Sequence, residues 1–400
     1  MATLGEALVN GLQAYGIDTV FGIPGVHTVE LYRGLAGSKI RHVTPRHEQG
    51  AGFMADGYHR ATGRVAAAFV ITGPGVTNIL TPMAQAYADS IPMLVVSSVN
   101  RTENLGMGGD LHEIRNQGLI AAQAAAFSHT ITHPDQLGPV LARAWAVFES
   151  ARPRPVHIQV PLDLFAVEVG TPEWTIAKRP MAPLAGPSDA ASILANAERP
   201  LIVAGGGSIG ADIPALATRL DAPVITTVNS RGTGGPLEVP ASPTLDCIRE
   251  AFAMADVVLA IGTEIGRTDF DMYDRGGLDV PGRLIRVDID AEQTTRGPAP
   301  DIVITGDASA VVDAWLKQLG GAAPVRGGGE WVRALHGAAL EEIGPKYRAI
   351  VGFLDAIRDT LPDAPMVCDS TQAAYAGNLY YAAPAPRRWF NASTGYGALG

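Results

Sequence analysis

Cysteine is scarce in this chain. Two, Cys247 and Cys368, stand far apart among 400 residues and show no metal-ligand spacing. That excludes a cysteine-built metal centre and leaves buried free thiols as the expected role. No apolar run reaches the ~18 residues that a membrane-spanning helix needs. No run of basic residues occurs either, and the formal net charge is −10. Nonspecific nucleic-acid binding is therefore not expected. The N-terminus, Met-Ala-Thr-Leu-Gly-Glu-Ala-Leu, lacks a basic segment followed by an apolar core. No secretory signal is read there, and the expected location is cytoplasmic, with neither membrane nor nucleic acid as partner.

What is abundant is glycine (46) and proline (29), in a chain that is 47% hydrophobic and 18% charged. This suits many short strand–helix connections. Leu4, Ala7, Leu8, Leu12 and Tyr15 fall at helical spacing. Ala66–Ile71 is a continuous apolar run, as expected of a strand buried on both faces, and Met93–Ser97 and Val156–Val160 are read as strands of the same kind. Strands alternating with helices predict an α/β fold with doubly wound parallel sheets. Three successive domains are expected, over residues 1–165, 187–320 and 330–400. A proline-rich linker, 161–187, separates the first two, and a glycine-rich stretch near 320–329 separates the last two.

Residues 45–63, Pro-Arg-His-Glu-Gln-Gly-Ala-Gly-Phe-Met-Ala-Asp-Gly-Tyr-His-Arg-Ala-Thr-Gly, carry the most specific signal. They set Glu48 at the start of a helix rich in Ala and Gly, directly after a strand end at His42-Val43-Thr44. That places the carboxylate in the crevice at the carboxyl ends of a parallel sheet, where such folds bind ligands. A glutamate in a first helical turn also simply complements the helix dipole. A second motif decides between the two. Thr72-Gly73-Pro74-Gly75-Val76-Thr77-Asn78 follows an apolar strand, and its glycines permit a tight turn and close backbone approach.

Together these segments resemble the pyrimidine-binding domain of thiamine-diphosphate enzymes of the acetolactate synthase type. The resemblance implies thiamine diphosphate and Mg2+ as cofactors. It implies that Glu48 bonds N1′ of the cofactor's aminopyrimidine, which asks for a desolvated site. Pro24, Gly25, Thr72, Gly73, Pro74 and Asn78 would flank the ring. Ser370, Thr371 and Gln372, after the strand ending at Asp369, resemble the family's first diphosphate-contacting turn. The stretch Gly395–Gly400 resembles its Gly-x-Met-Gly clamp, with Gly397 offering a carbonyl and Leu399 replacing the methionine that wedges beneath the cofactor. The family's Gly-Asp-Gly metal segment, with its later Asn, has no counterpart in the third domain. No metal ligand is therefore assigned within residues 1–400, and the ligands are expected beyond Gly400. That domain looks too short for a core, and the sequence is expected to be part of a longer chain. Gly205-Gly206-Gly207-Ser208-Ile209-Gly210 fits G-x-G-x-x-G, but the acidic partner about twenty residues on is missing. FAD, which some members of the family carry in the central domain, is accordingly not expected.

The loop Gly108–Gln117 is where relatives place substrate-facing groups. Val26, His112, Glu113 and Gln117 are the candidates. This loop has neither the paired histidines of pyruvate-type decarboxylases nor the Phe-Gln-Glu of acetolactate synthases. With Gly22–Tyr32, it resembles the group that decarboxylates 5-guanidino-2-oxopentanoate. A cationic guanidinium would want a carboxylate such as Glu113 or Glu30, although a loop carboxylate is equally at home in solvent. The resemblance therefore implies decarboxylation of a 2-oxo acid to an aldehyde and carbon dioxide by a homodimer or homotetramer. The alternatives are carboligation of two 2-oxo acids and a non-catalytic nucleotide-binding homologue.

Overall fold

The computed structural model describes residues 2–170, 174, 176, 188–270, 275–320 and 324–397. Much of the proline-rich linker and part of the glycine-rich stretch lie outside them. The chain forms two compact units, residues 1–179 with 394–396, and residues 180–393 with 397–400. Among the described residues no helix is long and apolar enough to cross a membrane.

The first unit holds a six-stranded parallel sheet. Its strands are β1 (Thr19–Gly22), β2 (Arg41–Val43), β3 (Ala66–Val70), β4 (Met93–Val99), β5 (Phe127–Thr130) and β6 (Val156–Pro161), in the spatial order β2-β1-β3-β4-β6-β5. The inner strands β3 and β4 are buried at every residue. Helices α1 (Leu4–Ala14), α2 (Val29–Ala36), α3 (Glu48–Thr62), α4 (Pro74–Ala88), α5 (Gln117–Ala122) and α6 (Leu137–Ser150) cover the sheet. Leu8, Leu12, Leu141 and Trp145 close one face, and Ala51, Ala55, Ile79 and Met83 the other. The chain runs outward from β1 to β2, then returns to the far side of β1 as β3. The turns after β1 and β3 thus open on one crevice, the topological switch point where doubly wound sheets bind ligands.

The second unit also holds a six-stranded parallel sheet, with a different strand order: β7 (Pro200–Ala204), β8 (Val224–Thr226), β9 (Glu238–Val239), β10 (Val257–Ile261), β11 (Arg283–Asp288) and β12 (Ile302–Thr305) are ordered β12-β11-β10-β7-β8-β9. A small parallel pair, β13 (Met366–Cys368) and β14 (Trp389–Asn391), belongs to the same unit. Two strands bury too little to stand alone. The helix Gly328–Glu342 instead places Val332, Leu335 and Ala339 in the core of Leu201, Val203 and Val258.

Edge strands β5 and β12 escape a reading based on apolar runs. Phe127-Ser128-His129-Thr130 is mostly half-buried, and Ile302–Thr305 alternates between half-buried and exposed. A strand at the rim of a parallel sheet is not buried on both faces, so it carries no continuous apolar run.

Candidate active site

Glu48 is the first residue of α3 and comes five residues after β2, at the crevice mouth. His47 caps the helix, its Nδ1 accepting from the Gln49 amide at 3.1 Å. The cap thus does not need the Glu48 side chain. That carboxylate is half-buried, and Asn78 Nδ2 donates to Oε2 at 3.0 Å. Among the described residues nothing donates to Oε1. The Asn78 contact depends on close packing of α3 on α4. A methyl group on Gly52 would overlap the Pro82 ring and stand 3.0 Å from Ile79. Pro82 lies inside α4, one turn beyond Asn78. Lacking an N–H, it makes no i→i−4 bond to the Asn78 carbonyl.

The turn after β1 presents Pro24, Gly25 and Val26. Thr28 Oγ1 braces it, accepting from Gly25 N and donating to the Gly25 carbonyl, each at 3.1 Å. A methyl group on Gly25 would come within 2.8 Å of Ile71, the residue after β3. The two turns therefore touch. Val26 is 83% exposed and projects from the rim. Thr72 and Gly73 are buried in the second turn, and Pro74 opens α4 at its first position, where a missing N–H costs nothing. Gly73 has φ +67° and ψ −106°, a conformation suited to glycine. Any Cβ there would overlap the His112 carbonyl, so the loop 105–116 lies directly over Gly73.

Gln117 is 2% exposed and faces the protein interior. Its Oε1 accepts from Thr72 Oγ1 at 2.8 Å and Gly73 N at 3.0 Å. Its Nε2 donates to the Ser98 carbonyl at 2.6 Å and reaches Ser97 Oγ at 3.3 Å. Ser97 Oγ stands 2.8 Å from His157 Nε2, and His157 Nδ1 stands 2.7 Å from Ser128 Oγ. His157 is wholly buried, and burial holds its pKa down to about 4. It is therefore neutral at ordinary pH.

His112 itself adopts φ +60°, uncommon for a residue with a Cβ. Its exposed ring meets that of His27 edge to face, with centroids 5.6 Å apart. His27 is 9% exposed. Burial, and next the neighbouring His112, hold its imidazole below the usual histidine range, with Asp110 acting in the opposite sense. Glu113 is half-buried, and its two oxygens accept from the Gly108 and Asp110 amides, each at 3.2 Å. It braces the tip of its own loop and retains lone pairs for a further donor. Glu30 sits elsewhere. It pairs with Arg33 at 3.3 Å and accepts from Thr3 Oγ1 beside α1.

In the second unit Ser370, Thr371 and Gln372 are exposed and open the eight-residue helix Gln372–Leu379. Thr371 caps it, accepting from Ala374 N at 3.4 Å, while Asp369 accepts from Ser370 N at 2.7 Å. Gly397, with φ +60°, lies near them: a Cβ there would stand 3.8 Å from Ser370 Oγ. The rest of the expected clamp, Leu399 and Gly400, lies outside the described residues, as do the metal ligands expected beyond Gly400. The Gly205–Gly207 turn after β7 packs on Gly262 and Thr263 after β10, with Gly207 N donating to the Gly262 carbonyl at 3.0 Å. These glycines thus serve backbone-to-backbone packing. Among the described residues no three His, Cys, Asp or Glu side chains converge as a metal centre would require.

Sequence reasoning overlooked His27, Ser97, Ser98 and His157. A usable signal existed for two of them. Ser97 and His157 interrupt runs that are otherwise apolar, and a polar residue in a central strand must find a partner.

Residues 2–120 match the family model described as thiamine pyrophosphate enzyme, N-terminal TPP binding domain. Residues 188–315 match the one described as thiamine pyrophosphate enzyme, central domain. A probable 2-ketoarginine decarboxylase of Pseudomonas aeruginosa is 47% identical over 414 residues, covering 100% of this chain and 73% of the relative. An acetolactate synthase large subunit of Mycobacterium tuberculosis is 30% identical over 78% of this chain and 53% of its own length. An acetolactate synthase large subunit of Parasynechococcus marenigrum is 30% identical over 98% and 67% respectively. With two domain models matched in order and a relative aligned to the whole of it, this chain belongs to the thiamine pyrophosphate enzyme family.

Proposed function

We propose that this protein uses thiamine diphosphate to decarboxylate a 2-oxo acid, and that the acid is 5-guanidino-2-oxopentanoate. The observation that carries the first part is the half-buried Glu48. Asn78 holds one of its oxygens, and among the described residues the other has no donor. A carboxyl group poised in this way suits a ring nitrogen, so the residues present fit the pyrimidine end of the cofactor. When bound, thiamine diphosphate supplies the electron sink that lets a 2-oxo acid lose carbon dioxide. The chain's own residues do the rest. Glu48 shares a proton with the ring nitrogen, and Asn78 fixes its orientation. Pro24, Gly25, Thr72, Gly73 and Pro74 line the cleft. Ser370, Thr371, Gln372 and Gly397 would supply hydroxyl and backbone groups for the diphosphate end, and Leu399, outside the described residues, is the proposed counterpart of the family's wedge methionine. A Mg2+ ion belongs to the same reading, and among the described residues no three His, Cys, Asp or Glu side chains converge to hold it.

The substrate assignment follows the name of the relative at 47% identity. Val26, His112 and Glu113 are the groups proposed to meet the acid, with Glu113 as the anion that receives a guanidinium. A charge-assisted hydrogen bond contributes about 1.5–3 kcal/mol, so one such contact gives a ten- to hundredfold preference. Steady-state kinetics should show kcat/KM for the guanidino acid about 10- to 100-fold above that for pyruvate. Equal or better use of pyruvate, with acetolactate as product, would assign the protein to carboligation.

The active species is proposed to be at least a homodimer. Glu48 and Ser370–Gln372 belong to different compact units, each with part of the proposed site. Sedimentation at assay concentration should show a dimer or larger. A fully active monomer would refute it.

A further inference from the structure

Several of the most buried polar groups of the first unit form one chain, and that chain ends on the Thr72–Gly73 turn. Ser97, Ser98 and His157 are 0% exposed in the buried strands β4 and β6, and Gln117, the first residue of α5, is 2% exposed. Burying such groups is costly unless each is bonded, and a satisfied network in a low-dielectric interior is rigid.

The direction of every bond follows from groups that have no choice. The Gly73 N–H can only donate, so the Gln117 amide must present its oxygen there. The Ser98 carbonyl can only accept, so it faces the amide nitrogen. The second hydrogen of that nitrogen points to Ser97 Oγ. Among the described residues His157 Nε2 is the one group within reach that can accept the Ser97 hydrogen, so Ser97 donates there. His157, neutral, must carry its proton on Nδ1 and donate it to Ser128 Oγ. Ser128 lies directly opposite His157 in the β5–β6 register, which fixes the far end of the chain on the backbone.

We propose that His157 is a positioning residue: through Ser97 and Gln117 it holds the Thr72–Gly73 turn in the geometry that receives the pyrimidine end of the cofactor. The role assigned to the turn rests on the reading above, whereas the coupling does not. His157 is the acceptor that orients Ser97, and Ser97 completes the hydrogen bonding of Gln117. Gln117 in turn binds the backbone amide of Gly73, whose backbone geometry only glycine readily adopts.

The two ring nitrogens can be imitated one at a time. An asparagine amide reaches the position of Nδ1 and can serve Ser128 alone. A glutamine amide reaches the position of Nε2 and can serve Ser97. The test is amide hydrogen exchange over residues 71–79 of the full chain, without cofactor or substrate, in His157→Asn, His157→Gln and Ser97→Ala. Loss of one net hydrogen bond corresponds to about a five- to tenfold change. The Asn and Ala variants should speed exchange at the turn by that factor, and Gln should restore protection to within about twofold, below the effect of one such bond. A residue that merely fills the core would move the thermal midpoint of Asn and Gln together and leave the turn unaffected. Equal exchange in the Asn and Gln variants, or an unaltered turn in Ser97→Ala, would overturn the proposal. If either histidine variant fails to fold, Ser97→Ala, which removes only a hydroxyl, decides alone. Because exchange is read in the unloaded protein, its outcome is separate from the decarboxylase assignment. A protected turn in an inactive protein would count against the activity and leave the coupling intact.

Discussion

Glu48→Gln is expected to lower turnover by about 10²-fold or more, the usual scale for a positioned acid–base group. The substitution keeps the size of the side chain, and an amide oxygen can still accept from Asn78 Nδ2. The fold should therefore survive, since the helix cap is His47 and the α3–α4 contact is Gly52 on Pro82. What the amide lacks is the proton that a carboxyl group shares with a ring nitrogen. Cofactor affinity should change little, because the contacts of the cleft and of the diphosphate end are untouched. The measurements are kcat for carbon dioxide release, the dissociation constant of thiamine diphosphate, and the thermal midpoint. Decarboxylation within a few-fold of the parent would remove Glu48 from the mechanism. A heavy fall in the midpoint would show instead that the residue serves only as a first-turn acid for α3.

The sequence disclosed the site unevenly, and the reasons are physical. The positions of Glu48, Thr72 and Gly73 at the crevice were legible because each follows a strand end at a short, fixed distance. The central strands were legible because burial on both faces writes a continuous apolar run, as in Ala66–Val70. Edge strands such as Phe127–Thr130 carry no such run. The role of Gln117 was not legible at all. The loop position suggests a group facing the substrate, whereas the amide turns inward and bonds Thr72 and Gly73. Nothing in a loop sequence tells which way a side chain points when its partners lie more than forty positions away. Glu30 is a similar case: its attachment to Arg33 and Thr3 becomes evident only when α2 is laid on α1. The glycines after Ala204 resemble a phosphate-binding turn, but their spacing is also what two turns need in order to pack on each other. The position of Gly262 against Gly205 and Gly207 shows the second of these roles.

Gly73→Ala should be the most damaging methyl group that can be added to this chain's candidate site. At φ +67° and ψ −106° a residue with a Cβ lies outside the regions open to L-amino acids, and holding it there costs about 1–3 kcal/mol. The added methyl would also overlap the His112 carbonyl, a backbone atom that cannot swing aside as a flexible side chain can. The chain has two ways to relieve the overlap. It can lift the loop 105–116 with His112 and Glu113, or it can flatten the turn and break the Gly73 amide's bond to Gln117. Either disturbs the groups proposed to meet cofactor and substrate, so kcat/KM should fall by at least tenfold, about 1.4 kcal/mol. The thermal midpoint should drop by several degrees, at about 2–4 °C per kcal/mol for a unit of this size. Gly57→Ala is the matched control. Gly57 lies in α3 with open space where its Cβ would be, so alanine there should stabilise the helix by up to about 1 kcal/mol and leave kinetics alone. If Gly73→Ala instead behaved like Gly57→Ala, the turn would not be under the constraint that its backbone angles and the His112 carbonyl impose.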